Sequence, residues 1–331
     1  MIKIIKQTLK AIANFFFLVL YFITWPFTFI ATGWLKRIRR KHKGLGIFMF
    51  WGVLPVADHY YQPLINPRKH LKKSLRDDRL LVGIDFNVKE QLQLLSQFCY
   101  NEELLRIPLK KENDSLSFYH DNDTFSFGDA EYLYNIIRHF KPERIIEIGS
   151  GSSTLMTVNA CTKNKKDDPL YDCSIVCIEP YEQPWLEQLD VEILRSRLED
   201  LDMSIFKALK ANDILFIDSS HVIRPQGDVL TEYLEILPQL NSGVVIHIHD
   251  IFSPKDYPDK WILGKEHRLW NEQYLLEAFL FYNNQFRIIG SLNYLSHHYS
   301  TEFCEKCPVY AKGGNIKRKE DDPASFWLVK N

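Results

Sequence analysis

The sequence predicts an α/β protein: a doubly wound, mostly parallel sheet of Rossmann-like type, preceded by an N-terminal membrane helix. Three observations predict it. Short, continuously apolar strands alternate with helix-compatible stretches from Arg144 onward, as in a parallel sheet covered on both faces. Each of the main strands ends in glycine or in a polar, titratable residue. The N-terminal 43 residues contain an uncharged run of 25, Ala11 to Leu35, between basic flanks.

Residues 1–43 carry nine Lys or Arg (Lys3, Lys6, Lys10, Lys36, Arg37, Arg39, Arg40, Lys41, Lys43) and no acid. As a helix, the apolar run would reach roughly 37 Å, enough to cross a bilayer. Six of the positive charges follow the run and three precede it, which places the C-terminal body in the cytoplasm, whether the anchor spans or re-enters. Gly33-Trp34-Leu35-Lys36 is a poor cleavage site for a signal peptide, and Pro26 sits where a kink would fall. The rest of the chain carries 32 basic and 42 acidic residues. A basic head on an acidic body points to the lipid bilayer as a partner and away from nucleic acid.

The expected organisation is an anchor at 1–43, an interfacial and helical extension at 44–124, and one α/β domain at 125–331. Gly44 to Val56 is again apolar, and His59-Tyr-Tyr-Gln-Pro63 with Asn66-Pro-Arg68 forms a loop. Asn87-Val-Lys-Glu90 has capping-box spacing ahead of a stripe of Leu92, Leu95 and Phe98. Residues 101–124 read as loop. Ser126-Phe-Gly-Asp129 caps a helix with Leu133, Ile136, Ile137 and Phe140 on one face, stopped by Pro142. Strands follow at 144–148, 174–178, 191–194, 213–217 and 243–248, with helices at 183–189, 203–210 and 226–237 between them. The tail offers a helix at 270–282, strands at 286–290 and 325–329, and a long loop at 297–324. Six scattered cysteines suit a reducing compartment. Cys304-Glu-Lys-Cys307, near His297 and His298, lacks a second clean ligand pair for zinc and reads as loop thiols.

The chemistry-bearing residues gather at the strand ends. Gly149-Ser150-Gly151 turns the first strand into a helix, with Glu147 two residues before it. Thr154 stands where a dinucleotide fingerprint would place its third glycine. Glu179, ending the second strand, can accept both hydroxyls of a ribose, which points to a nucleoside-containing cofactor; its plain alternative is a solvated acid before Pro180. Asp218 and His221 follow the fourth strand, and His249 and Asp250 the fifth. His247, inside the fifth, reads as a core histidine.

Glu147-Ile-Gly-Ser-Gly151, Glu179 and Asp213-Ile-Leu-Phe-Ile-Asp218 resemble the successive motifs of class I S-adenosylmethionine-dependent methyltransferases. Further stretches resemble a membrane-anchored bacterial branch of that family: His59 to Pro63, Phe125 to Asp129, Asp218 to His221, His247 to Ile251, Trp270 to Tyr274 and Ser325 to Leu328. The resemblance implies a seven-stranded sheet with a reversed last strand. It implies that Glu147, Gly149, Ser150 and Gly151 line the methionine end of S-adenosyl-L-methionine, that Glu179 holds its ribose, and that Leu198 or Glu199 lies near the adenine. Metal-assisted members, some acting on sugars, hold a divalent ion (Mg, Mn or similar) at the ends of the fourth and fifth strands. By that likeness Asp218, His249 and Asp250 are metal candidates, and Asp218, His221 and Asp250 catalytic ones, with His221 as base. Imidazole beside Asp250 favours Mn, Fe or Zn over Mg. The other reading is that Asp218 touches only the cofactor while His249 orients Asp250.

Tyr257, Pro258, Trp261 and Trp270, with the loop at His59 to Tyr61, are candidates to cover the site, as a saccharide pocket or as simple packing. The expectation is a membrane-anchored O-methyltransferase with a small-molecule or glycan acceptor, its active site cytoplasmic. The rivals are an NAD-dependent oxidoreductase or epimerase on the same sheet, and a catalytically silent membrane scaffold. Acceptor identity and oligomeric state stay open.

Overall fold

In the computed structural model, described for residues 2–331 except 41–44, 54, 55, 57, 65, 112–115, 182, 265–267 and 314–321, the chain forms two compact units, Met1–Lys72 and Lys73–Asn331. In the first, a single helix runs from Ile2 to Arg40, and Pro26 lies inside it without ending it. Its stretch Lys10–Arg37 is long and apolar enough to cross a membrane, and Phe15, Phe16, Phe22 and Phe29 stand exposed along it. Lys41 and Lys43 of the basic flank lie outside the described residues. A short helix, Leu45–Phe50, follows, and Met49, Phe50, Trp51, Tyr60 and Tyr61 are exposed.

The second unit is built on a seven-stranded sheet: β1 (Arg144–Ile148), β2 (Ser174–Ile178), β3 (Glu192–Leu194), β4 (Ile214–Ile217), β5 (Val245–Ile248), β6 (Phe286–Ser291) and β7 (Phe326–Lys330). The order is β3-β2-β1-β4-β5-β7-β6; β7 runs antiparallel to both neighbours and the first five strands are parallel. The fold class and the reversed last strand are as the sequence predicts. Side-chain alternation sends Ile145 and Phe216 into one core and Ile146, Ile148, Leu215 and Ile217 into the other, so both faces are covered. Helices Asp129–Phe140 and Ser152–Asp167 close the first face. The second is closed by Glu272–Leu280 and by a helix that starts at Asp228–Thr231 and passes through a π-helical stretch, Glu232–Ile236. Leu95, Phe98 and Phe118, from the extension ahead of the sheet, share the first core.

Several local readings differ: the helix read at 183–189 is only a 3-10 turn, Leu186–Gln188, and the loop read at Asn66 to Arg68 begins a helix, Pro67–His70. Residues 101–124 are not all loop: Asn101–Arg106 is a helix whose Leu104 is fully buried. The stretch read as a long loop at 297–324 contains the end of helix Leu292–His298, then Ser300–Lys306 and Pro308–Lys312. Phe303, Cys307 and Tyr310 recur at helical spacing and are buried, a stripe masked in sequence by the surface charges of Glu302, Glu305 and Lys306. Finally, Ser126 does not cap the helix at 129. Gly128 does, at φ +81°, its N–H donating to Glu131 Oε2 at 3.0 Å.

β6 has one strand neighbour, and side chains take three of its remaining backbone groups. Asn87 Nδ2 donates to Ile288 O (3.1 Å), Tyr132 Oη to Ile289 O (2.8 Å), and Ser291 N to Gln91 Oε1 (2.7 Å). The switch point of the sheet lies between β1 and β4, whose carboxyl ends open on one crevice.

Candidate active site

At the end of β1 the chain must turn against its neighbour. Gly149 has φ +80°, and a Cβ there would lie 2.0 Å from the carbonyl oxygen of Asp218, so only glycine fits. Gly151 is different: a Cβ there meets nothing within 4 Å. The turn is clamped by Glu179, whose carboxylate accepts the N–H groups of Ser150 (3.2 Å) and Tyr181 (2.9 Å). Gln183 Nε2 donates to Ser150 O at 2.9 Å, and Thr154 Oγ1 accepts the Gly151 N–H at 3.1 Å, so the threonine that departs from the dinucleotide pattern closes the turn. The buried Ser150 Oγ has no protein partner. Gly149, Glu179, Leu198, Glu199 and Asp218 converge on a cavity of about 350 Å³. Ser150 and Gly151, expected with them, are not among its lining residues, and neither is Glu147. It lies buried beneath the turn, accepting from Ser153 Oγ at 2.5 Å. Burial pushes its carboxyl up to about 8, against hydrogen bonds from Ser153 and Thr154, with the Asp218 charge adding to the rise.

Asp218 also borders a second cavity, of about 510 Å³, together with His221, His249 and Asp250. Here the strand-end groups form one cluster. His221 Nε2 lies 3.1 Å from Asp218 Oδ1 and 3.5 Å from Asp250 Oδ2, while its Nδ1 lies 2.8 Å from Glu272 Oε2. His249 Nδ1 stands 3.6 Å from Asp218 Oδ2 and 3.7 Å from Asp250 Oδ2, and its Nε2 3.8 Å from Asp129 Oδ2. Burial would lower the pKa of both histidines. The carboxylates override it and raise them: hydrogen bonds to Asp218 and Glu272 for His221, the charges of Asp250 and Asp218 for His249. In return, and against its own burial, Asp218 is held well below the usual carboxylate range by His249 and His221. Burial leaves Asp250 raised.

Both ring nitrogens of His221, the residue read as base, face carboxylates, so the ring bridges Asp218 and Glu272. The metal-capable set also differs from expectation: the ligand atoms of Asp218, His221 and Asp250 lie within 4.8 Å of one another, with His221 in the place expected of His249. His247 is the expected core histidine, stacked on Phe216 with Nε2 2.9 Å from Ser325 Oγ. His297 and His298 pair with Asp322 and Asp78 at 3.1 and 2.7 Å, away from Cys304 and Cys307.

Several site residues escaped the sequence reading. Glu272, fully buried, receives Tyr233 Oη at 3.1 Å as well as His221. Asp129 looks like a helix-start acid, yet accepts the N–H groups of Ala324 (3.0 Å) and Ser325 (2.8 Å) and faces His249. Trp270, by contrast a residue expected over the site, packs on the His221 ring at 4.4 Å. The main-chain N–H groups of Asn271 and Glu272 reach His221 O at 3.0 and 3.2 Å, and His221 adopts φ +59°. Asp250 has φ +58°; two non-glycine residues in the left-handed region at one site mark strain held by their surroundings. A larger cavity, about 570 Å³ beside β6, offers no such convergence, since its Glu90 and Arg287 pair with each other at 3.4 Å.

A parallel sheet with a reversed β7, a glycine turn and acids at successive strand ends defines the class of α/β methyltransferases. The family profile described as a methyltransferase domain matches residues 146–251. An uncharacterized protein of Archaeoglobus fulgidus is 30% identical over 167 residues, which are 47% of this chain and 74% of that one. The chain belongs to the S-adenosylmethionine-dependent methyltransferases. Membership removes the dinucleotide oxidoreductase as a reading.

Solved structures resemble it distantly. One titled "cmcI-N160 SAH" is 11% identical, covering 69% of this chain and 90% of that one, with a TM-score of 0.37. A putative protein-L-isoaspartate O-methyltransferase of Plasmodium falciparum in complex with S-adenosyl-L-homocysteine is 14% identical, covering 51% and 78%, with a TM-score of 0.25. The MycE methyltransferase of the mycinamycin biosynthetic pathway, in complex with Mg, S-adenosylhomocysteine and mycinamycin VI, is 13% identical, covering 80% and 64%, with a TM-score of 0.33.

Proposed function

We propose that the protein is an O-methyltransferase held at the cytoplasmic face of a membrane, acting on a hydroxyl of a saccharide or lipid-linked glycan. The observation that carries the reaction type is the position of Asp218, which borders both the cavity beside the glycine turn and the cavity of the acid–imidazole cluster. One cavity suits a nucleoside donor and the other a hydroxyl acceptor, and they meet at one carboxylate.

The residues fit the donor. Gly151 leaves open space where any side chain would intrude, Ser150 Oγ is buried without a protein partner, and Glu179 retains acceptor capacity beyond its two backbone bonds. S-adenosylmethionine supplies an electrophilic methyl group on a sulfonium when bound. Glu179 is assigned to its ribose, Leu198 and Glu199 to the adenine side, and Gly149, Ser150 and Gly151 to the methionine end. Glu147 acts there from beneath, by fixing Ser153 under the turn. The ionised Asp218 favours a cation at the junction.

On the acceptor side, four carboxylates (Asp129, Asp218, Asp250, Glu272) face the two imidazoles of His221 and His249, an excess of negative charge that suits a divalent cation, toward which His221 would act as a neutral ligand. Asp218, His221 and Asp250 would hold it, with a chemistry favouring Mn, Fe or Zn, and it would lower the pKa of a hydroxyl beside it. The acceptor hydroxyl enters among these three side chains. Groups this close titrate as a unit, so its proton passes to the cluster rather than to one named residue. Trp270 and Glu272 fix the His221 ring, and the aromatic wall keeps water from the approach of oxygen to methyl. The membrane setting rests on the exposed apolar helix Lys10–Arg37 and its basic flanks.

Calorimetric titration with S-adenosylhomocysteine tests the donor site. Micromolar binding, weakened about tenfold or about 1.4 kcal/mol by Glu179→Ala, is expected. A folded wild-type chain that binds none would end the assignment. Transfer of labelled methyl with and without a chelator then tests the cation.

A further inference from the structure

The second cavity has a wall of opposite charge to its floor. Asp218 and Asp250 of the floor come from the ends of β4 and β5, and Asp123, Asp129 and Asp322 add carboxylates from other segments; Lys260 and Arg268 come from the segment after β5, and both line the same cavity. Arg268 is fixed at both ends. Its main-chain N–H donates to Trp261 O at 2.9 Å, and its guanidinium carbon lies 4.3 Å from the Trp261 ring centroid and 4.5 Å from that of Trp270. Trp261 is itself buried against Phe252 and Tyr257, so the platform under the guanidinium is rigid.

Two consequences follow. Both indoles already hold a cation, and Trp261 is buried besides, so the wall is not a stacking surface for the apolar face of a sugar. And an arginine whose rotamer entropy is already spent, with a planar fork of donors, is built for bidentate recognition of a carboxylate or phosphate.

We propose that the acceptor bears an anionic group, a phosphate or carboxylate, held by Arg268 with Lys260 while its hydroxyl reaches the Asp218–His221–Asp250 cluster. This rests on the assignment of the second cavity to the acceptor. An anion placed at the cationic wall avoids the floor carboxylates and sets the neutral hydroxyl toward them. Charge then selects the acceptor, and the ring or chain that carries it is secondary.

The test uses the full chain in nonionic detergent with EDTA, so that no metal bridges the ligand, and with saturating S-adenosylhomocysteine, so that the donor's own carboxylate site is filled. Inorganic phosphate and acetate are titrated by calorimetry, with glycerol as the neutral control. Wild type should bind an anion and not glycerol; Arg268→Gln should weaken the anion at least tenfold, Arg268→Lys less, and Lys260→Gln severalfold. S-adenosylhomocysteine affinity should stay within twofold in each variant, which also shows that each is folded. A wild-type chain that binds S-adenosylhomocysteine but neither anion, or an Arg268→Gln chain that binds the anion as wild type does, overturns the proposal. Anion binding with Arg268 dependence in a chain that does not bind S-adenosylhomocysteine keeps the anion site and removes the methyltransferase assignment instead. Dihexanoyl phosphatidic acid, run in parallel, separates the sources: at least tenfold tighter binding than phosphate assigns the anion to a lipid headgroup, and equal binding to a soluble acceptor.

Discussion

Glu147 and Asp218 sit at the ends of neighbouring strands, the first fully buried and the second partly exposed, and their states are opposite. Glu147 meets a hydroxyl and a thiol, Ser153 Oγ at 2.5 Å and Cys177 Sγ at 3.8 Å, and burial lifts it to about 8. Asp218 meets two imidazoles and is held ionised. Burial acts the same way on both; the partner decides which state survives. A neutral acid under the turn can brace it without adding charge, while an ionised one can face a cation across two cavities.

The largest effect should come from the pH dependence of stability. Below pH 4.5 folded and unfolded chains both hold the Glu147 proton. Above it the unfolded chain releases the proton and the folded chain keeps it, so stability falls by about 1.4 kcal/mol per pH unit until about 8. Glu147→Gln should flatten that slope in urea unfolding between pH 5 and 8; parallel curves for the two proteins would refute the neutral state. Asp218→Asn comes next, removing the charge that both cavities share. Methyl transfer should drop about 10³-fold, or about 4 kcal/mol, with S-adenosylhomocysteine affinity falling too. A variant with normal transfer would remove Asp218 from the junction.

The two glycines of the turn sharpen the contrast between packing and ligand. Gly149→Ala should cost about 2–3 kcal/mol of stability through its clash with Asp218 O and its positive φ. Gly151→Ala should leave the melting temperature unchanged and weaken only S-adenosylhomocysteine; equal melting losses would mean that both glycines serve packing. The smallest change, about tenfold in rate, is expected for Glu272→Gln, which keeps the shape beside His221 and removes the charge. A shifted pH–rate profile with unchanged melting separates this positioning role from a structural one.

The sequence made legible whatever depends on neighbours along the chain. Strand positions, Gly149 and Glu179 follow from apolar runs and turn chemistry, and their convergence follows from the rule that ligands sit at the switch point of an open sheet. What it hid was convergence from afar. Glu272 reaches His221 from 51 positions away, and Asp129 reaches Ala324 and Ser325 from nearly 200; neither has a local mark beyond being an acid near a helix start. The left-handed backbone of His221 and Asp250 is imposed by tertiary contacts, so the choice of His221 over His249 in the metal-capable set could not be read in advance. The helices at 300–312 were hidden for a simpler reason: their surface charges outnumber the few buried side chains that make the stripe.

The two rims of the sheet end differently. β3, three residues long, is too short to template a partner, while three exposed-side groups of β6 are occupied by the amides of Asn87 and Gln91 and the phenol of Tyr132. The amides imitate an eighth strand without supplying one. On the proposed membrane surface, where collisions between copies would be frequent and their orientations restricted, this would matter. The short β3 and the three capped groups of β6 would shorten the ladder that either rim offers a neighbouring copy.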